Sequence, residues 1–551
     1  MTPTRLQVMW NRLLAVVEEQ AQALIRAAFS PMVRECGDIS AGIFDRQGRM
    51  LAQAVTGTPG HINTMAAAVG HLLACFPVEA MRPGDIYMTN DPWLASGHLN
   101  DFLLMMPVFH GVAVVGFTAC TSHLVDLGGC GMGPEGSDIY DEGLLIPPCK
   151  LVEAGEVNAL LLDIVKANSR EPIANEGDIY ALIACCETGA ARLRGMMAEF
   201  RLESLEPLAD HILETSRRGT LQAIAAVPTG TYRNSLTVDG YEAPITLTAT
   251  LMVGPDGVDL DFAGTSPCSR RGINVPLNYA AAYAVFGLRC LMGPEIPNNA
   301  GSLACFTVRA PVGCILNAQP PAPVAMRHTL GQLTPDLVFG CLAQALPDQV
   351  PAEGASAMWD LPIRSAAEVA LAGRPGFAVE LTHNGGTGAR PGRDGLSATA
   401  YPSGVWGSQV EISESVAPIL IRRRELRPNS GGPGRMRGGL GQRIELTAAS
   451  GDALTVFLSV ERIDNPARGR DGGLPGDPGR LRLDGGRDLR GKGEVTVGPG
   501  QTLIFETPGG GGFGAPQERD REALQQDIAN GFVTVAGAAI YGLDQEEEAP
   551  A

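Results

Sequence analysis

The chain has 551 residues, which is too long for one hydrophobic core and predicts about two to four domains. Hydrophobic residues make up 45% of it and charged residues 19%, a composition typical of globular proteins. The formal net charge of -18 disfavours nucleic acids and anionic membrane surfaces as partners, because both would repel the chain.

The cysteines and the apolar segments indicate the compartment. The 12 cysteines are scattered without a C-x-x-C motif, as expected of reduced thiols. The first residues lack the apolar core of a signal peptide, and no uncharged apolar stretch reaches about 18 residues. We therefore expect a cytoplasmic protein that does not cross a membrane.

The N-terminal part alternates helix and strand patterns. Apolar residues recur at helical spacing over 4–29, and a helix of small residues is expected over 60–74. Between them, two short strands around the turn Asp45–Gly48 predict a hairpin. Asp38 lies at the mouth of this hairpin, and His61 lies at the start of the second helix. Each is either a site residue or an ordinary turn or helix-start residue.

Two apolar runs follow on either side of His110-Gly111. Two strand-like runs joined by two residues that end in glycine predict a tight hairpin. In that register His98 faces His123, with Cβ atoms about 4.5–5.5 Å apart, and Asp101 faces Cys120. A slip of one residue would turn His123 to the other face.

Each of these histidines precedes an aspartate by three positions, as His98–Asp101 and His123–Asp126. Neutral imidazole and carboxylate together suit Zn, Mn or Fe(II). Because the hairpin brings both elements to one end of the ribbon, the sequence predicts a divalent metal site. The alternative is that these are ordinary polar residues at strand ends.

An acidic, glycine-rich loop follows Asp126, with four acidic residues: Glu135, Asp138, Asp141 and Glu142. Their spacing does not match an EF-hand, and we expect all four to be solvated. Helical patterns then continue to residue 226.

The composition changes near residue 228, where alternating apolar residues and glycine-bearing turns indicate antiparallel sheet. We predict an N-terminal α+β domain with the metal site (1–227), an α+β middle domain (228–420) and a β-rich C-terminal region with a terminal helix (421–551). The predicted fold class is α+β and multidomain, with mixed and antiparallel sheets, β-hairpins, helical segments and a Gly-rich β C-terminal region.

The segment Thr507–Gly514, TPGGGGFG, is the most glycine-dense stretch. It lacks G-x-x-x-x-G-K-[ST], and no G-x-G-x-x-G unit between a strand and a helix occurs, so no nucleotide-binding residue is predicted. A flexible hinge or a close-packed backbone loop is favoured over a phosphate cradle.

Eight stretches together carry a family resemblance: GDISAGIFDRQGRMLAQ (37–53), GDIYMTNDPWLASGHLND (84–101), SHLVDLGG (122–129), DFAGTSP and RGINVPLNYA (261–280), IPNNAGS (296–302), NGGTGARPGRDG (384–395), ELRPNSGGPGRMRGGLG (425–441) and ETPGGGGFG (506–514). In this order they resemble the hydantoinase B/oxoprolinase family. That family includes the B-type subunits of ATP-dependent N-methylhydantoinase and caprolactamase, the alpha subunit of acetone carboxylase and the C-terminal half of 5-oxoprolinase.

The resemblance implies a hydrolase of C–N bonds in cyclic amides (hydantoins, lactams or oxoproline), with a hydantoinase A-like partner that binds ATP in an α2β2-type hetero-oligomer. It implies a divalent metal (Zn, Mn or Fe) held by Asp38, His98, Asp101 and His123. Whichever of Asp101 and Asp126 is not a ligand could orient a histidine or act as base. The alternatives are an ATP-dependent ketone carboxylase subunit and a scaffold with a structural metal.

The sequence departs from the family pattern in two places. It reads GHLND where relatives often read THLPD, and Thr382-His383-Asn384 where relatives are Gly-rich. His383 and Asn384, together with His61, are therefore candidate substrate-binding residues.

Overall fold

The computed structural model describes residues 2–55, 57–366 and 376–543. The chain forms two compact units. The first comprises Met1–Tyr232, Ala249–Ala263 and Pro267–Arg327, and the second comprises Arg233–Thr248, Gly264–Ser266 and His328–Ala551. The three domains expected from the sequence, with boundaries at 227 and 420, stay a prediction.

The first unit contains both helices and strands. Its helices are α1 (Pro3–Ala27), α2 (Pro31–Arg34), α3 (Pro59–Cys75), α4 (Ile139–Glu142), α5 (Ala159–Ala167), α6 (Pro172–Phe200), α7 (Glu206–Ala225), α8 (Leu277–Arg289) and α9 (Ala300–Leu303). Its strands are β1 (Ile39–Asp45), β2 (Met50–Gln53), β3 (Ile86–Thr89), β4 (Asp101–His110), β5 (Ala113–His123), β6 (Cys149–Glu153), β7 (Glu156–Val157), β10 (Gly257–Asp261) and β11 (Phe306–Arg309). The residues of β8 (Gly230–Val238) and β9 (Ile245–Gly254) are divided between the units.

The second unit is richer in strand. Its helices are α10 (His328–Gly331), α11 (Thr334–Leu342), α12 (Val410–Val416) and α13 (Arg521–Ala529). Its strands are β12 (Trp359–Ser365), β13 (Ala378–His383), β14 (Ile419–Leu426), β15 (Gln442–Ala448), β16 (Leu454–Ser459), β17 (Arg480–Leu483), β18 (Arg487–Asp488), β19 (Lys492–Val497) and β20 (Thr502–Glu506). The predicted α+β, multidomain fold class is confirmed.

The predicted N-terminal helices and hairpin are confirmed. In α1 the Thr2 side chain caps the first turn, and Pro3 occupies the first helical position, where a backbone N–H would have no partner within the helix. The apolar side of the helix buries Leu13 and Leu24. The β1–β2 hairpin pairs Ile43 with Ala52. No helix in the described ranges is both long and apolar enough to cross a membrane.

A seven-stranded antiparallel sheet organises the first unit, in the order β2-β1-β5-β4-β3-β6-β7. Helices α1 and α6 cover one face, and α3 covers the other. Along β4, Phe102 and Leu104 belong to the core beneath α1 and α6, whereas Leu103 and Met105 belong to the core beneath α3. By this alternation Asp101 projects toward the α3 side of the sheet.

Two sheets form the core of the second unit, in the orders β13-β12-β16-β19 and β14-β15-β20-β17-β18. Both bury apolar side chains in one cluster that includes Trp359, Leu446 and Phe505. A sheet whose inner face is apolar needs such a partner to exclude water, so the two sheets stabilise each other.

The glycine-rich C-terminal segments are not a flexible hinge. Gly509–Gly512 is buried, and its backbone is hydrogen-bonded to other glycine-rich segments of the second unit. The Gly510 N–H donates to Gly439 O at 3.0 Å, and the Gly432 N–H donates to Gly510 O at 2.8 Å. A Cβ atom at Gly510 would lie 1.9 Å from Thr387 O. These glycines are therefore needed for close backbone packing, which is one of the two interpretations that the sequence favoured.

Candidate functional site

Three neighbouring strand ends converge in the first unit. Asp38 immediately precedes β1, Asp101 begins β4, and His123 ends β5. Strand β5 lies between β1 and β4, and the His123 N–H donates to Asp38 O at 3.3 Å. Antiparallel pairing thus places two carboxylates and an imidazole together at one end of these three adjacent strands.

The hairpin register differs from the predicted one. Asp101, not His98, pairs with His123, and Cys120 pairs with Leu104. The turn lies one position later than predicted, since His110 pairs with Ala113, and a β-bulge near Val108 adds one more residue. His98 precedes the strand. The two imidazoles nevertheless lie together, with ring centroids 5.1 Å apart.

Three buried side chains bring potential metal ligands together. One ligand atom each from His98, Asp101 and His123 lies within 4.8 Å of the others, and each residue is at most 2% exposed. Asp101 Oδ1 lies 2.7 Å from His98 Nε2 and 3.2 Å from His123 Nδ1. The carboxylate thus connects the two histidines.

The second nitrogen of His98 determines which atom faces the cluster. His98 Nδ1 lies 3.0 Å from Ala325 O, and a carbonyl can only accept a hydrogen bond. Nδ1 therefore carries a proton that it donates to this carbonyl, and Nε2 is the nitrogen directed at Asp101, where a metal ion would bind. Burial, together with the charge of Arg327, lowers the pKa of His98 to about 4, so the ring is neutral at pH 7.

Arg327 is a site residue that the sequence patterns did not reveal. Its Nη2 donates to Asp101 Oδ2 at 2.5 Å and its Nε donates to Ser96 O at 3.0 Å. The guanidinium stacks on the Tyr279 ring, 4.1 Å from the centroid. One feature of the sequence could have indicated it: apart from histidine, Arg327 is the one charged residue between Arg309 and Asp336.

Asp101 is held ionised despite complete burial. Burial by itself would raise the pKa of Asp101, but His61, His98 and Arg327 lower it well below its usual range. A buried carboxylate of this kind is stable only when paired and hydrogen-bonded.

His61 joins two carboxylates. Its Nε2 lies 2.8 Å from Asp101 Oδ2, and its Nδ1 lies 3.4 Å from Asp38 Oδ1. Burial would lower the pKa of His61, but Asp101 and Asp38 raise it overall, while burial raises the pKa of Asp38. The structure places this predicted substrate-binding residue beside the metal-ligand candidates. Asp38 lies outside the closest group of three, and its ligand role stays a prediction.

Asp126 has other partners. Its carboxylate accepts hydrogen bonds from the Arg170 N–H and, at 2.6 Å, from Arg170 Nη1. The Asn175 side chain donates to its main-chain oxygen. These bonds tie the loop after β5 to the start of α6. A catalytic or orienting role for Asp126 stays a prediction.

The donor set fits a divalent transition metal. Neutral His98, ionised Asp101 and His123 offer the imidazole and carboxylate ligands that Zn, Mn and Fe share. Two of the three have supporting groups behind them: the Ala325 carbonyl behind His98, and Arg327 behind Asp101. Such supporting groups orient ligands and tune their basicity.

The two remaining predicted residues belong to the second unit. His383 is fully buried, and its ring lies 4.8 Å from the Phe505 ring. The Asn384 side chain donates to Val405 O at 3.2 Å, and its main-chain oxygen accepts from Gln442 Nε2 at 2.9 Å. These contacts are structural. A substrate-binding role for either residue stays a prediction.

His383→Phe tests this structural role. Burial and the charge of Arg424 lower the pKa of His383 to about 3 in the fold. A depressed histidine pKa adds stability above the unfolded value of about 6.5, and that stability is lost as pH falls toward 3. We expect His383→Phe and wild type to have the same free energy of unfolding at pH 8. At pH 5 the variant should be about 2 kcal/mol more stable than wild type, as measured by thermal unfolding.

His110→Phe provides the matched control, since the His110 side chain is 42% exposed and the same substitution is made there on the surface. If His383→Phe instead loses enzymatic activity at pH 8 without any change in stability, the substrate-binding prediction is supported.

Comparison with known proteins identifies relatives over the whole length. The family model for hydantoinase B/oxoprolinase matches residues 2–516. A putative B-type subunit of a D-/L-hydantoinase from Pseudomonas sp. (strain NS671) is 29% identical over 586 aligned residues, covering 99% of this chain and 96% of that protein.

Solved structures agree with this match. The crystal structure of ATP-dependent caprolactamase from Pseudomonas jessenii superimposes with a TM-score of 0.92 at 26% identity, covering 100% of this chain and 98% of that one. An acetone carboxylase structure has a TM-score of 0.87 at 20% identity, covering 98% and 80%, and therefore shares the fold alone.

Proposed function

Because the chain belongs to the hydantoinase B/oxoprolinase family, we propose that it is the B-type subunit of an ATP-dependent enzyme that hydrolyses cyclic amides. The observation that carries the proposal is the buried cluster of His98, Asp101 and His123. The names of the relatives, a D-/L-hydantoinase and an ATP-dependent caprolactamase, support cyclic amides as the substrate class.

We assign His98, Asp101 and His123 as ligands of a divalent metal (Zn, Mn or Fe), with Asp38 as the further candidate. When bound, the metal would supply Lewis acidity toward an amide carbonyl. The Arg327 guanidinium, whose Nη2 lies 2.5 Å from Asp101 Oδ2, keeps Asp101 ionised. An ionised carboxylate can bind the metal or, if it is not a ligand, accept a proton from water.

Ring opening needs one proton at the leaving nitrogen, because water adds a hydroxyl group to the carbonyl carbon as the C–N bond breaks. We propose that His61 supplies it. The side chain lies between Asp101 and Asp38, which favour its charged form. The candidate ligands are at most 2% exposed, and a site that excludes bulk water strengthens the electrostatic interactions inside it.

The ATP-dependent step is assigned to a partner. The chain has no P-loop or dinucleotide-binding pattern, and its relatives include proteins named as subunits. We propose a hydantoinase A-like, ATP-binding partner in an α2β2-type assembly. All 12 cysteines are free thiols, which supports a cytoplasmic location.

Co-expression with an A-type subunit tests the function. The purified complex is given hydantoins, lactams or 5-oxoproline with ATP, and the product is identified by mass spectrometry. We expect a ring-opened product and ADP, both dependent on the two subunits. Ring opening by either subunit alone would contradict the proposal.

Labelled bicarbonate separates hydrolysis from carboxylation. With a ketone substrate and the same complex, we expect no label in the organic product. Incorporation of the label at a carbon–carbon bond would overturn the hydrolase assignment in favour of the carboxylase.

A further inference from the structure

Glu142, the last residue of α4, is buried, although the sequence predicted a solvated loop residue. It is 4% exposed, whereas Asp138 caps the same helix and Asp141 is exposed. Its Oε1 accepts a hydrogen bond from the Ala325 N–H at 2.8 Å, and its Oε2 is buried without a hydrogen-bond partner among the described residues. Burial raises the pKa of Glu142 to about 8. A carboxyl group buried at such cost needs a structural or functional reason.

The backbone of Ala325 connects Glu142 to the metal-ligand cluster. Its N–H donates to Glu142, and its carbonyl accepts the proton of His98 Nδ1 at 3.0 Å. Fixing this carbonyl fixes the His98 tautomer, and so aims Nε2 at Asp101. Glu142 is therefore separated from a candidate ligand by the backbone of one residue, Ala325.

The segment that carries Ala325 is held by individual hydrogen bonds, among them one from the Asn274 side chain to Pro323 O at 2.9 Å. Residues 322–327 form neither helix nor strand, so no regular backbone ladder holds them. The Met326 N–H donates to Gly272 O at 2.7 Å. Glu142 packs beside that glycine as well, since a Cβ atom at Gly272 would lie 2.9 Å from its Oε1. The same segment ends in Arg327, which holds Asp101.

We propose that Glu142 is a positioning residue that, through the backbone of Ala325, holds His98 and Arg327 in the geometry required for metal binding. This inference rests on the proposed function, because it assigns His98 as a ligand. Glu142 touches neither the metal ligands nor the reacting atoms directly. Its role is to keep one irregular segment in place.

Three variants test the role. Glu142→Gln keeps an acceptor oxygen for the Ala325 N–H, Glu142→Leu removes it, and Glu142→Asp withdraws it by one methylene group. With Mn²⁺ as the probe and chelator competition as the measurement, Glu142→Leu and Glu142→Asp should bind Mn²⁺ about 10–100-fold more weakly than wild type. Glu142→Gln should stay within about threefold of the wild-type affinity. Glu187→Leu, an exposed site without a described contact, is the matched control.

A second measurement does not depend on a metal. In protein labelled with [15N]histidine, the His98 signals, assigned by their loss in His98→Ala, should report a proton on Nδ1 in wild type and Glu142→Gln. Glu142→Leu should show a mixture of tautomers. If Glu142→Leu does not fold, Glu142→Asp gives the same comparison.

The outcomes separate the two proposals. Unchanged Mn²⁺ affinity and an unchanged His98 tautomer in folded Glu142→Leu or Glu142→Asp would overturn the positioning role. If wild type binds none of Mn²⁺, Zn²⁺ and Fe²⁺, the proposed metal site fails, and the tautomer measurement by itself decides the role of Glu142.

Discussion

Replacing His98 by alanine is expected to abolish hydrolysis and metal binding while the protein stays folded. The imidazole Nε2 lies 2.7 Å from Asp101 Oδ1 and is one of three donors in the cluster. Loss of a ligand should lower metal affinity by more than about 100-fold, since even supporting groups cost 10–100-fold. Losing several kcal/mol of Lewis-acid stabilisation lowers kcat/KM about a thousandfold or more. Metal analysis, circular dichroism and the ATP-dependent assay measure the three effects.

His110→Ala is the matched control, because this histidine lies at the turn of the same hairpin. Its side chain is 42% exposed and pairs with exposed Glu203 at 3.3 Å, an interaction worth less than about 1 kcal/mol. Activity and metal content should stay at the wild-type level. If His98→Ala unfolds as it loses the metal, the metal is structural, and the scaffold alternative is preferred. If it keeps the metal and activity, the cluster is not the active site.

Replacing Gly510 by alanine is expected to destabilise the second unit severely. The new Cβ atom would lie 1.9 Å from Thr387 O and 2.2 Å from Thr387 C, and backbone atoms cannot move aside as a flexible side chain can. Overpacking of this kind costs about 3 kcal/mol or more. For a unit of this size, that lowers the melting temperature by about 10 °C. Thermal unfolding and soluble yield are the measurements.

Gly195→Ala provides the opposite expectation. Gly195 is exposed within α6, and a Cβ atom there meets nothing within 4 Å. Alanine should stabilise the helix by about 0.5–1 kcal/mol. If Gly510→Ala has the stability of wild type, the buried segment Gly509–Gly512 must be able to shift, and the hinge interpretation returns.

The hairpin shows how far local pattern reaches. Its two strands and its tight turn follow from apolar runs on either side of His110-Gly111. The later turn and the β-bulge near Val108 left no clear signal, and together they decide that Asp101 pairs with His123. Residue spacing predicts that strands form. Packing on both faces of the sheet determines their register.

The sequence by itself determined the N-terminal helices, the two hairpins, the fold class and the residue types that could hold a metal, because periodicity and donor chemistry are local properties. Tertiary structure decided the composition of the site. Arg327, which is 226 residues from Asp101, and Glu142, which is 183 residues from Ala325, reach the cluster only after the chain folds. Contacts at such separations depend on how sheet, helix and irregular segments pack together, and no short window of residues contains that information.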